Sequence, residues 1–303
     1  MSSAVFRAPS STTGWDARDV LGTIASRAGP LPQITLEYDG AARLLWVDLR
    51  PEPKPVMTLP MIESTGRLQE AVMDLWGTDS DRPIKYLAYR SSGKVFSIGG
   101  DLDFYLDCLR SDPRSLRHYA EVAIRVSRLN RNGLNGAVIT LINIHGKAVG
   151  GGIDAGRACN VMIAEEGATF SYPEVEYNHF PIQAVPILSR HTGPIEAERI
   201  LLSGAEFTAE EFHKRGAIDA VVPVGTGQAW IRDYALRTAA SHAARVAVMR
   251  AFDADQSGHA LSMNGYAETW AEHMLGLAPT EIARLQRIAS TQERMLARMY
   301  RQG

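Results

Sequence analysis

Cysteine is nearly missing: Cys108 and Cys159 are the only two in 303 residues. Their spacing fits no metal motif, and two thiols make no disulfide framework for a chain of this size. Both are expected to be reduced, buried small hydrophobes, which suits a reducing cytosol. No stretch reaches the run of about 18 apolar residues that a membrane span needs. Met1 to Pro9 holds no apolar run of the leader type. The expectation is therefore a cytoplasmic, soluble protein without a membrane partner. Charge of one sign is also lacking, since the formal net charge is −2. That gives no global pull toward nucleic acid, and none is expected as a partner. The eight histidines form no His-x-x-x-His or Cys–His cluster, so no metal site is expected. A Gly-x-Ser-x-Gly elbow and a P-loop are absent as well, which leaves serine-hydrolase and phosphate-anhydride chemistry unsupported.

What is present reads as an ordinary globular chain, 45% hydrophobic and 22% charged. Residues 1–30, rich in Ser, Ala and Gly, read as a flexible tail. Ile34 to Tyr38 and Leu44 to Leu49, with Asp39-Gly40 near the turn, read as a hairpin. Leu59 to Trp76, Asp101 to Leu109 and Ser115 to Leu129 have helical spacing. Lys85 to Tyr89 is a short strand. Ala137 to Ile144 is the strongest strand, apolar enough to be buried on both faces. Ile153 to Cys159 is a short helix before a strand at Val161 to Ala164. From Gln228 on, helices take over, ending with Glu281 to Tyr300. The order predicts an α/β core over residues 31–229 and a helical C-terminal region over 230–303.

Gly150-Gly151-Gly152 follows the buried strand. Three glycines together are entropically unfavourable, and make sense where the backbone must come close to something else. They open a short helix, so their N–H groups are free to meet a polarised oxygen. Gly99-Gly100 stands in a similar place, and two such turns can each supply one N–H to an oxyanion hole. On spacing alone, two tight strand–helix turns explain the glycines equally well. A dinucleotide fingerprint does not, because Val161 begins the next strand only six residues after Ala155. Asp154 fits an acid at a helix start. Glu174 fits a solvated loop acid, and Glu165-Glu166 a solvated turn.

The runs Phe96 to Leu102, His145 to Asp154, Tyr172-Pro173-Glu174 and Ala209 to Val222 keep the order and spacing of the crotonase (enoyl-CoA hydratase/isomerase) superfamily. The chain resembles it over roughly residues 34 to 225. Within it, the chain is most similar to the diffusible signal factor synthase group. The resemblance implies a crotonase-like spiral of β-β-α units and a trimer, or a hexamer of paired trimers. It implies oxyanion donors at the N–H groups of Gly100 and Gly151, and catalytic carboxylates at Asp154 and Glu174. Gly99, Gly150, Ile182 and Gln183 would line the substrate site. No cofactor is implied beyond the carrier of an acyl thioester, coenzyme A or acyl carrier protein. The activity implied is a lyase or hydratase on 3-hydroxyacyl or 2-enoyl thioesters, with thioesterase activity as in the signal synthases. Other thioester-enolate chemistry, or a degenerate binding protein, are the alternatives.

Two positions depart from the family pattern. Asp154 stands where the family carries Glu, which sets its carboxylate back by roughly 1.5 Å; a misplacement near 1 Å can lower a rate about 100-fold. After Phe180-Pro181 the family is glycine-rich, whereas this chain has Ile182-Gln183-Ala184-Val185-Pro186. That bulk should reshape the acyl pocket beside Glu174.

Overall fold

The computed structural model describes residues 15–79, 81–257 and 263–301. A helix, α1 (Ala17–Ala28), precedes the hairpin of β1 (Ile34–Asp39) and β2 (Leu44–Leu49). Then follow α2 (Leu59–Trp76), β3 (Tyr86–Ser91), α3 (Leu102–Ser111) and α4 (Pro113–Arg131). A single turn, α5 (Gly133–Gly136), leads to β4 (Ile139–Ile144), β5 (Lys147–Val149) and α6 (Gly151–Arg157). Next come β6 (Val161–Glu165), β7 (Thr169–Ser171), a 3-10 turn at Pro173–Tyr177, α7 (Ala184–Thr192) and α8 (Pro194–Ser203). After β8 (Glu206–Thr208), α9 (Ala209–Lys214) and β9 (Ala220–Val222), the chain ends in α10 (Gly227–Thr238), α11 (His242–Ser257), α12 (Met263–Leu275) and α13 (Pro279–Arg301).

Six strands form one sheet in the order β1-β2-β3-β4-β6-β9, parallel except for the β1–β2 hairpin. The short β5, β7 and β8 form a second sheet. Consecutive strands alternate between the sheets, β4 to β5 and β6 to β7, which winds the chain into the expected β-β-α spiral. Side-chain alternation sorts the central strands into two cores. Leu87, Tyr89, Ile142, Ile144, Met162 and Ala164 join α1, α2 and α4 on one face. Tyr86, Ala88, Ile139, Leu141, Val161 and Ile163 meet Ile231 and Ala235 of α10 on the other. This two-sided burial is why β4 reads as a continuous apolar run.

Two expectations are corrected. The tail expected at residues 1–30 becomes the helix α1 from Ala17 on, while positions 1–14 lie outside the described residues. Asp16 caps it, accepting the Arg18 N–H at 2.7 Å, and Val20, Leu21 and Ile24 are buried where it meets α2. So short an apolar stripe was masked by the Ser, Ala and Gly around it. The helices expected at Asp101 to Leu109 and Ser115 to Leu129 are α3 and α4, separated where Asp112 ends the first and Pro113 opens the second. Glu165 is no solvated acid: it is buried and accepts from Asn143 Nδ2 at 3.0 Å and from the Gly225 N–H at 2.8 Å. These donors hold its carboxyl below the usual range against the opposing effect of burial.

Candidate active site

Backbone pairing brings the two glycine segments together. Phe96 and Ser97 donate their N–H groups to the carbonyls of His145 and Lys147, each at 3.1 Å, and Val149 donates to Ser97 O at 3.0 Å. On the other side of this stretch, Ile98 donates to Pro55 O at 2.8 Å and Met57 to Gly99 O at 2.9 Å. Gly100 and Gly151 therefore meet on the wall of a cavity of about 80 Å³, with Gly99, Asp154, Glu174, Ile182 and Gln183 also lining it. A Cβ built on Gly151 would stand 3.8 Å from Gly100 N. Neither of these two N–H groups has an acceptor among the described residues.

The three consecutive glycines have three separate reasons. A Cβ on Gly150 would lie 1.9 Å from Glu174 Oε1, so the missing side chain is the space the carboxylate occupies. Its φ of +47° also disfavours any other residue. Gly151 contributes the free N–H. A Cβ on Gly152 would lie 2.6 Å from Ser97 Cβ, so this glycine lets α6 pass close to the neighbouring segment. Gly150 was expected to touch substrate. It does not line the cavity, and its own N–H is engaged by Ser171 O at 3.0 Å.

The two acids are buried and differently held. Asp154 is 2% exposed; its Oδ1 accepts from Tyr172 Oη at 2.8 Å and its carboxylate from the Gln183 backbone N–H. Burial raises its pKa to about 7 against the opposing pull of those two donors. Glu174 is 6% exposed and its Oε2 has no partner. Burial raises its pKa to about 8, its own backbone N–H lowers it, and the charge of Asp154 raises it further. No cation acts on either group, and the neutral donors offset their desolvation only in part. Both are thus poised near neutrality, where a general acid and a general base are most effective.

Several contacts in or beside the cavity wall were not foreseen from the sequence. Tyr172 stood in the Tyr-Pro-Glu string, but nothing there showed that its hydroxyl would reach Asp154. Trp270 comes from α12, where its neighbours carry no motif, and is fully buried against Tyr105 and His179. His179 follows the 3-10 turn, its N–H donated to Glu174 O at 3.0 Å. Gln183, whose polar group was expected here, donates Nε2 to Ser127 Oγ at 2.7 Å. Gln292 of α13 reaches the same cavity and donates to Ile98 O at 3.1 Å. Cys108 and Cys159 are both buried free thiols outside the cavity wall. Among the described residues no cluster of His, Cys, Asp and Glu could hold a metal, and no helix is long and apolar enough to cross a membrane.

The model of the enoyl-CoA hydratase/isomerase family matches residues 65–275. A mevalonyl-coenzyme A hydratase from Aspergillus fumigatus is 29% identical over 153 residues, 50% of this chain and 54% of that protein. A probable enoyl-CoA hydratase from Mycobacterium tuberculosis is 26% identical over 189 residues, 59% of this chain and 69% of that one. The chain thus spans little more than half the length of the first of these relatives. The solved enoyl-CoA hydratase of Bacillus halodurans superposes with a TM-score of 0.68 at 23% identity, over 84% of this chain and 99% of that one, which shows a shared fold.

Proposed function

The chain belongs to the enoyl-CoA hydratase/isomerase family, and from that premise we propose that it hydrates 2-enoyl thioesters, or dehydrates 3-hydroxyacyl thioesters in reverse. One observation carries the proposal: two acceptor-free N–H groups and two buried carboxylates without a cation share one cavity. The N–H groups of Gly100 and Gly151 would bind the thioester oxygen and stabilise the negative charge that develops there.

The acids divide by their partners. Hydrogen bonds from Tyr172 and Gln183 favour ionised Asp154, whereas Glu174 has only its own backbone N–H. Asp154 is then the base and Glu174 the acid. Water oxygen bonds to the β-carbon as its proton passes to Asp154. The electron pair of the double bond moves through the enolate and takes the Glu174 proton at the α-carbon. Return of the proton from Asp154 to Glu174 closes the cycle. The shorter Asp at this position is compatible with the chemistry because two donors fix it.

The test is incubation with 2-enoyl and 3-hydroxyacyl thioesters of several lengths, on coenzyme A and on acyl carrier protein, with products read by mass spectrometry. Interconversion of the two classes is the expected result. No turnover on either carrier would overturn the reading. Release of free acid would add the thioester hydrolysis implied by likeness to the signal factor synthases. A moved double bond without added water would point to isomerisation instead. The same resemblance underlies our expectation of a homotrimer or hexamer, which sedimentation would check.

A further inference from the structure

Among the described residues, seven buried side-chain nitrogen or oxygen atoms have no hydrogen-bond partner. Four belong to side chains on the wall of this one cavity: Glu174 Oε2, His179 Nδ1, Gln183 Oε1 and Trp270 Nε1. Glu174 is accounted for by the proposed chemistry. The other three are not, and each belongs to a residue at least nine-tenths buried. A buried polar atom left unpaired costs about 1–3 kcal/mol, so three on side chains that line one cavity form a feature that calls for a guest. An all-hydrocarbon acyl chain could pair with none of them.

Resting on the thioester reading above, we propose that the acyl group of the substrate carries a neutral hydrogen-bonding substituent, a hydroxyl or keto group beyond the β-carbon, which His179, Gln183 and Trp270 recognise. Their chemistry sets the class. Trp270 Nε1 can only donate, Gln183 Oε1 can only accept, and a neutral imidazole nitrogen does either according to its tautomer. A hydroxyl answers both kinds of partner, and a keto oxygen answers the donors. The amide of Gln183 is anchored at Ser127 Oγ, with Nε2 at 2.7 Å, and its oxygen has no partner. The ring of His179 packs between Trp270 at 5.8 Å and Tyr177 at 6.2 Å between centroids, which fixes its plane. Burial, with a smaller effect from His273, lowers the His179 pKa to about 3, so this wall carries no cation. An acyl group ending in a carboxylate would bring a buried negative charge beside two acids and is disfavoured.

The experiment is calorimetric binding of saturated, unreactive thioesters to the full chain. Hexanoyl-CoA is compared with its 4-, 5- and 6-hydroxy and 5-keto forms, and with a form of equal length ending in a carboxylate. At least one neutral oxygenated form should bind tenfold or more tightly than hexanoyl-CoA, and the carboxylate form more weakly. In Trp270→Phe and Gln183→Leu that advantage should shrink severalfold, measured as a ratio of affinities within each folded variant. Equal or weaker binding of every oxygenated form by the wild-type chain would overturn the inference. So would an advantage untouched by both substitutions, or failure to bind any acyl-CoA. Turnover is scored separately. Failure to hydrate any 2-enoyl thioester refutes the proposed activity, while the binding ratios still decide the acyl preference.

Discussion

Gly150→Ala tests whether the placement of Glu174 governs the reaction. The added Cβ would fall 1.9 Å from Glu174 Oε1, and real Cβ contacts stay above 3.0 Å, so the carboxylate must move by at least 3.0 − 1.9 = 1.1 Å. A displacement of about 1 Å can lower a rate by roughly 100-fold. Backbone strain at φ +47° acts separately, on the order of 1–2 kcal/mol of stability. Gly167→Ala separates the two effects. That residue has φ +80° and nothing within 4 Å of its would-be Cβ, so it brings strain without a clash at Glu174. Thermal unfolding and steady-state hydration of an enoyl thioester are measured for both variants. Both should lose stability, and only Gly150→Ala should lose about two orders of magnitude in kcat. A folded Gly150→Ala protein within threefold of wild-type kcat would refute the argument that Glu174 needs this seat.

With Asp154 near 7 and Glu174 near 8, the form with base ionised and acid protonated is most abundant between those values. The kcat/KM profile should be a narrow bell whose limbs belong to the coupled pair, falling below pH 7 as Asp154 protonates and above pH 8 as Glu174 ionises. A profile flat from pH 5 to 10 would sink the two-acid mechanism. Tyr172→Phe removes a donor that favours ionised Asp154, so the acidic limb should move up by about 1–2 pH units; a downward move would contradict the assignment. Glu174→Gln should lower kcat by roughly 10²–10⁴. It should also reverse a pH effect on stability. The folded pKa of Glu174 is raised, so its contribution is full below the unfolded value of 4.5 and is lost as pH rises through about 8. The variant has no such loss, so its melting temperature should gain on wild type between pH 5 and pH 9. A gap independent of pH would show that Glu174 is not buried as an acid.

Sequence reasoning reached the fold because the central strands are buried on both faces and spell continuous apolar runs. Ala137 to Ile144 contained β4, and Leu59 to Trp76 coincided with α2. It placed Gly99, Gly100, Gly151, Asp154, Glu174, Ile182 and Gln183, and the structure gathers all seven around one cavity. It did not foresee the seat that Gly150 gives Glu174, because a glycine needed to seat a side chain looks the same in sequence as one that offers an N–H. It treated the acids through single local environments, whereas their burial comes from segments far apart in the chain. Trp270 approaches from α12, and Tyr172 reaches Asp154 across 18 positions. Such partners follow from the winding of the chain and leave no local trace. Glu165 escaped for the same reason, since its donors Asn143, Gly225 and Gly227 sit on separate elements.

The two departures from the family pattern, the short acid at 154 and the glycine-poor segment after Pro181, meet at one carboxylate. Gln183, at the entry to α7, gives its backbone N–H to Asp154, and its side chain is tied to Ser127 of α4. The segment is therefore held where a short acid can use it. Restoring glutamate tests whether the pair is matched. Asp154→Glu pushes the carboxylate out by about 1.5 Å, one carbon–carbon bond. In a site only 2% exposed, it must either abandon the Tyr172 and Gln183 donors or displace the wall. Overpacking of this kind destabilises by about 1–3 kcal/mol. Loss of the two donors raises the pKa of the acid and leaves less of it ionised at neutral pH. Asp154→Glu should therefore lose activity, with the acidic limb of its pH profile moved upward and its melting temperature lowered. A variant that gains activity would show the opposite: a site decayed from glutamate, with Tyr172 and Gln183 holding Asp154 to no catalytic end.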